Sequence, residues 1–239
     1  MKIVKNFQDE IQLYITDSPE EYSDLLSRNL LVVPLKNDEN KNIQWPYSEY
    51  VLEGDIEDFD DDYLYHVALR LSNLPWKILE TPRLIVRETT VDDVASFYKI
   101  YKDPDIPRFM EDLFENPEDE IQYTKNYIRT IYSFYGFGLW TVICKETNEV
   151  VGRAGISMRE GFDIPELGFL ISKEYQGIGL AYEVCSAIIE YAKKELGFDT
   201  LQALVHPDNT KSISLLRKLG FSVTDQFHQG YLITCRTFS

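Results

Sequence analysis

The sequence predicts an α/β (or α+β) protein made of two unequal units. Three observations lead there. Short segments with strand-like alternation, or with unbroken apolar character, are interleaved with helix-period segments along the whole chain. The charge is uneven: residues 1–80 hold 17 acidic and 7 basic side chains, net -10, which leaves -6 of the total -16 for residues 81–239. The junction Leu74-Pro75-Trp76 separates two differently patterned stretches. The expected division is therefore a small α/β domain over residues 1–78 and a larger domain over residues 79–239.

In the first unit, Ile11 to Thr16 alternates apolar and polar positions as a strand does. Asp17-Ser18-Pro19-Glu20-Glu21 then supplies a helix cap, a first-turn proline and acids facing the helix dipole. Asp17 is read as that cap in preference to a metal ligand. Leu30 to Leu35 is an apolar run of the buried-strand kind, Tyr50 to Glu53 a third strand, and Tyr63 to Arg70 a closing helix. Together they describe a small layer with a parallel sheet. The acid run Asp55 to Asp62 lacks the glycine and closing glutamate of a calcium loop and reads as a solvated loop and helix start.

In the second unit, Arg83 to Arg87 is a strand and Val91 to Tyr101 an amphipathic helix capped by Thr90. Pro117 to Tyr135 is a second helical stretch, with Gly136 at its end. Strands are expected at Leu139–Cys144, Val150–Met158 and Ile164–Ser172. A strong helix follows over Leu180–Leu196, with Gly197 as its C-cap. A strand at Leu201–Val205, a helix over Asn209–Leu219 and strands near Phe221 and Tyr231 complete the chain.

The composition limits what the protein does. With 44% apolar and 13% aromatic residues in 239, a sizeable core is available and wholesale disorder is excluded. No apolar run is long enough for a membrane helix, and the N-terminal residues lack a secretory signal. Cys144, Cys185 and Cys235 are widely spaced and odd in number, as reduced thiols are. A cytoplasmic protein without nucleic-acid or membrane partners is expected, since a net charge of -16 repels nucleic acid at long range.

The segment that carries chemistry is Lys173-Glu174-Tyr175-Gln176-Gly177-Ile178-Gly179-Leu180-Ala181, between a strand and the strongest helix. Its glycines allow close approach of backbone to an anion, and the helix start offers free N–H groups and a favourable dipole. A dinucleotide-binding turn would need a third glycine at Tyr182 and a place early in the unit, and it has neither.

Gln176, Gly179 and Ala181 match the acyl-CoA signature of the GNAT (general N-acetyltransferase) superfamily: Gln or Arg, two residues, Gly, one residue, Gly or Ala. Thr81-Pro82-Arg83-Leu84-Ile85-Val86-Arg87 resembles the opening strand of the branch that includes the ribosomal-protein N-terminal acetyltransferases. Pro165 to Phe169 resembles the strand before the CoA loop. Asn209, Ser212 and Leu219-Gly220-Phe221 resemble the later Asn-x-x-Ser and Leu-Gly-Phe motif. The four motifs stand in the family's order over residues 79–239.

This resemblance implies a mixed, mostly antiparallel central sheet flanked by helices and splayed at the CoA site. It also implies acetyl-CoA as co-substrate, no metal, and acetyl transfer by direct attack of a primary amine: a peptide N-terminus, polyamine or aminosugar. Backbone N–H groups of Gly177, Ile178, Gly179, Leu180 and Ala181 would hold the pyrophosphate, with Gln176 of the signature in the same cofactor-binding set, and the strand edge at Phe169, Leu170 and Ile171 would pair with pantetheine. An alkyl ammonium has a pKa near 10, so its deprotonation needs a base or water chain. Glu166 is the candidate base, or else a cross-strand partner of Arg153. Ser212 is the candidate acid for the thiolate, or else makes a local hydroxyl-to-backbone bond. Asn209 either bonds the pantetheine arm or only caps a helix.

Other residues carry less. Tyr231 is a remote candidate acid, His206 a local hydrogen-bonding residue, and Cys185 a core thiol, while His66 and His228 have no partner pattern. Tyr132, Phe134, Tyr135, Phe137 and Trp140 either line an acceptor pocket or pack in the core and at its rim. A catalytically inactive module that senses CoA or acyl-CoA is the rival function. Residues 11–70 weakly resemble the last part of haloacid-dehalogenase-like phosphatases, through Thr16 to Glu21 and the following buried strand. That superfamily's nucleophilic aspartate lies on an earlier strand, and only ten residues precede Ile11. The first unit is otherwise read as a dimer-forming or regulatory surface, with a homodimer among the expected partners.

Overall fold

A computed structural model describes residues 2–48 and 50–238. The chain forms two compact units, residues 1–76 and 77–239.

The first unit consists of β1 (Lys2–Asn6), β2 (Gln12–Thr16), α1 (Pro19–Ser27), β3 (Val32–Lys36), β4 (Leu52–Glu53) and α2 (Asp61–Leu71). The strands lie in that order in one sheet. The pairs β2–β3 and β3–β4 are parallel, whereas β1 runs antiparallel to β2, so the sheet is mixed and not purely parallel. Successive side chains of a strand point to opposite faces. Leu13, Ile15, Val33 and Leu35 are buried with Leu64, Val67 and Ala68 of α2, while Val32 packs with Tyr22 and Leu25 of α1. Ser18, and not Asp17, caps α1: its hydroxyl accepts the Glu21 amide at 3.4 Å. The acid run closes turns. Asp58 accepts the Asp55 amide at 2.9 Å, and Asp60 caps α2 by accepting the Tyr63 amide at 2.7 Å.

The second unit begins with β5 (Lys77–Glu80), β6 (Leu84–Arg87), α3 (Val94–Tyr101) and α4 (Pro117–Tyr127). A π-helical stretch, Ile128–Tyr132, and the short α5 (Ser133–Tyr135) continue α4 to Gly136, whose φ of +73° ends the helix. Then follow β7 (Leu139–Cys144), β8 (Val150–Ser157), β9 (Glu166–Ile171), α6 (Leu180–Lys194), β10 (Thr200–Val205), α7 (Thr210–Lys218), β11 (Ser222–His228) and β12 (Tyr231–Thr237). The eight strands order as β11-β12-β10-β9-β8-β7-β6-β5.

Every neighbouring pair is antiparallel except β9–β10, which is parallel and meets at a single residue pair, Glu166 with Gln202. Leu180, Val184, Ile188 and Ala192 of α6 recur every four residues and are fully buried against Ala154, Ile156, Leu167 and Ile171. Leu170, on the other face of β9, packs with Ile100 of α3 and with Ile106. The sheet is thus covered on both faces. No helix among the described residues is long and apolar enough to cross a membrane.

One buried ion pair ties the start of α3 to the sheet. Arg87 donates two 2.7 Å bonds to the Asp93 carboxylate, which also accepts the Thr90 amide at 2.8 Å and the Thr141 hydroxyl at 2.9 Å. Burial alone would raise the Asp93 carboxyl, but the bonds from Arg87 and Thr90 hold it below the usual carboxylate value. Asp93→Asn leaves the Arg87 guanidinium without its counter-charge, at an expected cost of about 3–5 kcal/mol. In a unit of this size, that lowers Tm by roughly 6–20 °C, as thermal denaturation would read. The sign with pH follows from the depressed folded value. The pair's contribution is present above the unfolded carboxylate pKa of about 4 and is lost as pH falls through the folded one. The parent therefore loses more of its stability on acidification than the Asn variant does.

Candidate functional site

Because β9 and β10 are parallel yet pair only at Glu166 and Gln202, they separate towards their C-terminal ends. From Leu167 onward, β9 presents an unpaired backbone edge on that side. The gap opens into a cleft of about 2220 Å³ lined by Gly168 to Ile171 of β9, Ala203 to Val205 of β10, the start of α6 and the start of α7.

The turn Gln176 to Gly179 closes one end of the cleft. Gly177 and Gly179 have φ of +81° and +87°, a region where an L side chain is strained. Their conformation points the loop's amides outward: the backbone N–H groups of Gly177, Ile178, Gly179, Leu180 and Ala181 have no acceptor among the described residues. Such a row of free donors at a helix start fits an anion. Gln176 holds the turn from behind, its amide donating to the Ile171 carbonyl at 2.9 Å.

A second brace arrives from a hundred residues away. Arg83 donates to the Ile178 carbonyl at 2.9 Å and, through Nε, to Glu183 at 2.7 Å. Glu183 also accepts the Arg83 amide at 3.0 Å and the Thr81 hydroxyl at 2.6 Å. Burial would raise the Glu183 carboxyl, and these bonds instead hold it below its usual value. The start of β6 thus fixes the first turn of α6. Sequence reasoning placed Thr81 and Arg83 in a motif but not in this contact, which no short-range pattern marks.

Glu166 stands at the last residue pair before the splay. Its carboxylate is largely buried and bonded to Arg159, from Nε at 2.5 Å and from Nη2 at 3.3 Å. This bond raises the Arg159 guanidinium further. The expectation of Arg153 as partner is corrected: the register places Ser157 opposite Glu166, and Arg153 opposite Leu170. Arg153 lies instead with its guanidinium 4.7 Å from the Phe97 ring centroid.

At the far wall, Asn209 caps α7 by accepting the Ser212 amide at 3.1 Å. The Ser212 hydroxyl makes no hydrogen bond among the described residues, so the local hydroxyl-to-backbone bond does not form. His206 accepts the Asp208 amide at 3.2 Å, and its ring packs against Phe109 and Tyr231. Cys185 is fully buried, and burial pushes its thiol up, as expected of a core cysteine. Of the two readings of the aromatic group, packing in the core and at its rim is the one the burial follows. Tyr132, Phe137 and Trp140 are core, and Phe134 and Tyr135 are exposed. Tyr101, Phe109, Phe114, Tyr123 and Tyr127 line the cleft in their place.

The acetyltransferase (GNAT) domain family matches residues 83–222. The chain belongs to the GNAT acetyltransferase family. The uncharacterised N-acetyltransferase YoaA of Bacillus subtilis is 31% identical over 148 residues, 60% of this chain and 82% of that protein. The ribosomal protein uS5 alanine N-acetyltransferase of Escherichia coli is 32% identical over 103 residues, 42% of this chain and 50% of that protein. A ribosomal α-N-protein acetyltransferase solved in complex with coenzyme A shares the fold at TM-score 0.56 and 13% identity, over 67% of this chain and 97% of that one. The GNAT domain is accordingly an acyl-CoA-dependent N-acetyltransferase with acetyl-CoA as its co-substrate. The free amides of Gly177 to Ala181 and the open edge of β9 are donor and pairing groups of the kinds that a pyrophosphate and a pantetheine arm require. The likeness of residues 11–70 to phosphatases has no support in these matches, and the family match begins at residue 83.

Proposed function

We propose that this GNAT domain transfers the acetyl group of acetyl-CoA to a primary amine, by direct attack of the neutral amine on the thioester. The observation that carries the reading is the separation of β9 from β10 immediately after Glu166, beside the unpaired amides of Gly177 to Ala181. Those amides would bind the pyrophosphate, with Gln176 and Arg83 holding the turn in shape. Phe169, Leu170 and Ile171 would pair through their backbone with the pantetheine amides.

The acyl group then lies where the strands part, next to Glu166. Glu166 would accept the ammonium proton, directly or through a water, while Arg159 orients its carboxylate. Ser212, whose hydroxyl is uncommitted, would return a proton to the departing thiolate. Asn209 shapes this wall as the cap of α7 and has an amide group left for the pantetheine arm. Glu111, Asp112 and Glu120 also line the cleft and supply a negative field for a cationic acceptor such as a peptide N-terminus, polyamine or aminosugar.

Two measurements test the proposal together: calorimetric titration with acetyl-CoA, and thiol release from acetyl-CoA across a panel of primary amines. Binding with amine-dependent thiol release is expected. Binding without turnover of any amine overturns the transfer reading in favour of a CoA-sensing module, and absence of binding by folded protein overturns both.

A further inference from the structure

Four arginines line the cleft, and three of them are paired with carboxylates: Arg83 with Glu183, Arg108 with Asp208, and Arg159 with Glu166. Arg153 differs. It lies on β8 between Thr141 and Leu170, on the face covered by α3, and has no ion pair among the described residues. Its guanidinium sits over Phe97, and its Nε is buried without a hydrogen-bond acceptor. Burial raises the Tyr101 and Tyr123 phenols; the Arg153 charge opposes that rise in both, and at Tyr101 a hydrogen bond with Arg153 does so too, which places the guanidinium beside both rings. A half-buried cation that has no carboxylate partner and one buried, unsatisfied N–H is costly in a folded protein, and contact with an aromatic face and with the Tyr101 phenol offsets only part of that cost. Nearby carboxylates do not supply the missing acceptor. Glu120 accepts the Phe114 amide, Asp112 accepts the Leu113 amide, and neither reaches Arg153.

We propose that Arg153 is the acceptor-recognition residue of this cleft, binding a carboxylate of the incoming amine, so that the substrate class is an amine that also carries a carboxylate group. The inference rests on the acetyl-transfer reading and narrows it. A planar guanidinium binds a carboxylate through two parallel hydrogen bonds. Its place beside Leu170 sets the anchor next to the strand whose edge would hold the acyl donor. Glu111 and Glu120, on the cleft wall, favour the ammonium end of the same molecule. A free amino acid and a peptide with an acidic residue near its N-terminus share this chemistry, whereas a polyamine lacks it.

The test uses matched substrates on the parent protein, with thiol release as readout: the common α-amino acids against their α-amides, short peptides with aspartate against asparagine at the second position, and spermidine. A carboxylate-bearing amine is expected to be used with kcat/KM at least about tenfold above its uncharged match. In Arg153→Gln the preference should fall to near unity, mainly through KM, with acetyl-CoA affinity by calorimetry unchanged, and Arg153→Lys should restore part of it. Amides or spermidine used as well as the carboxylates, or a preference that survives in folded Arg153→Gln, overturns the inference and leaves acetyl transfer standing. Should the Gln variant not fold, the matched substrates on the parent decide. Absence of both acetyl-CoA binding and turnover removes the underlying reading, and the inference with it.

Discussion

Glu166→Gln is expected to lower kcat by about 10²–10⁴-fold, the usual contribution of a positioned general base, with acetyl-CoA affinity unchanged. The substitution keeps the shape of the side chain and an acceptor oxygen for Arg159, so the local geometry at the head of β9 survives. It removes the negative charge that would take the ammonium proton. Steady-state kinetics with a responsive amine, alongside calorimetry with acetyl-CoA, separates the two effects. A fall of less than about threefold in kcat, far below the range for a general base, would reduce Glu166 to a partner of Arg159 and move the proton acceptor elsewhere in the cleft. An equal loss in acetyl-CoA affinity would instead mean that the ion pair shapes the splay itself.

Gly179→Glu is expected to weaken acetyl-CoA binding at least about 100-fold, equivalent to ~2.7 kcal/mol. Two causes act together. At φ of +87° any L side chain is strained, at a cost of order 1–3 kcal/mol, and the loop relaxes away from the conformation that aims its amides outward. The new carboxylate also stands among the N–H groups proposed to bind the pyrophosphate. A Cβ on Gly179 would lie 3.6 Å from Arg83 Nη2, but Arg83 is already held by Glu183 and by the Ile178 carbonyl, which limits its capacity to neutralise the added charge. Retention of parent-like affinity in a folded variant would place the anion site elsewhere.

The parts of the fold legible in the sequence are those whose determinants lie within a few residues of one another. The α6 helix shows apolar positions every four residues, a glycine turn before and Gly197 after, and it forms over Leu180–Lys194 where Leu180–Leu196 was expected. The strands β7, β8 and β10 carry dense apolar runs, since both of their faces are covered. Nothing in the sequence marks β1 and β5 as strands. Both are edge strands with half-exposed, charge-bearing sequences, Lys2 to Asn6 and Lys77 to Glu80, in which partial burial leaves little hydrophobic alternation. The π-helical stretch is hidden for a different reason: Ile128 to Tyr132 has ordinary helical composition.

The candidate site divides along the same line. The turn ahead of α6 was legible in the sequence, because glycines at 177 and 179 before a strong helix dictate a local conformation with unpaired amides. So were the candidates Glu166 and Ser212 and the cap Asn209, through motif order. What each of these touches is set by how the elements pack. Arg159, not Arg153, meets Glu166, because strand register sets which side chains are neighbours and a strand's own sequence does not state its register. Thr81 and Arg83 reach Glu183 across a hundred residues, and Arg153 is left without a carboxylate partner in an aromatic wall built from α3 and α4. These contacts arise from the approach of separate elements. Short-range pattern encodes the shape of each element, whereas the meeting of elements is settled by packing of the whole core.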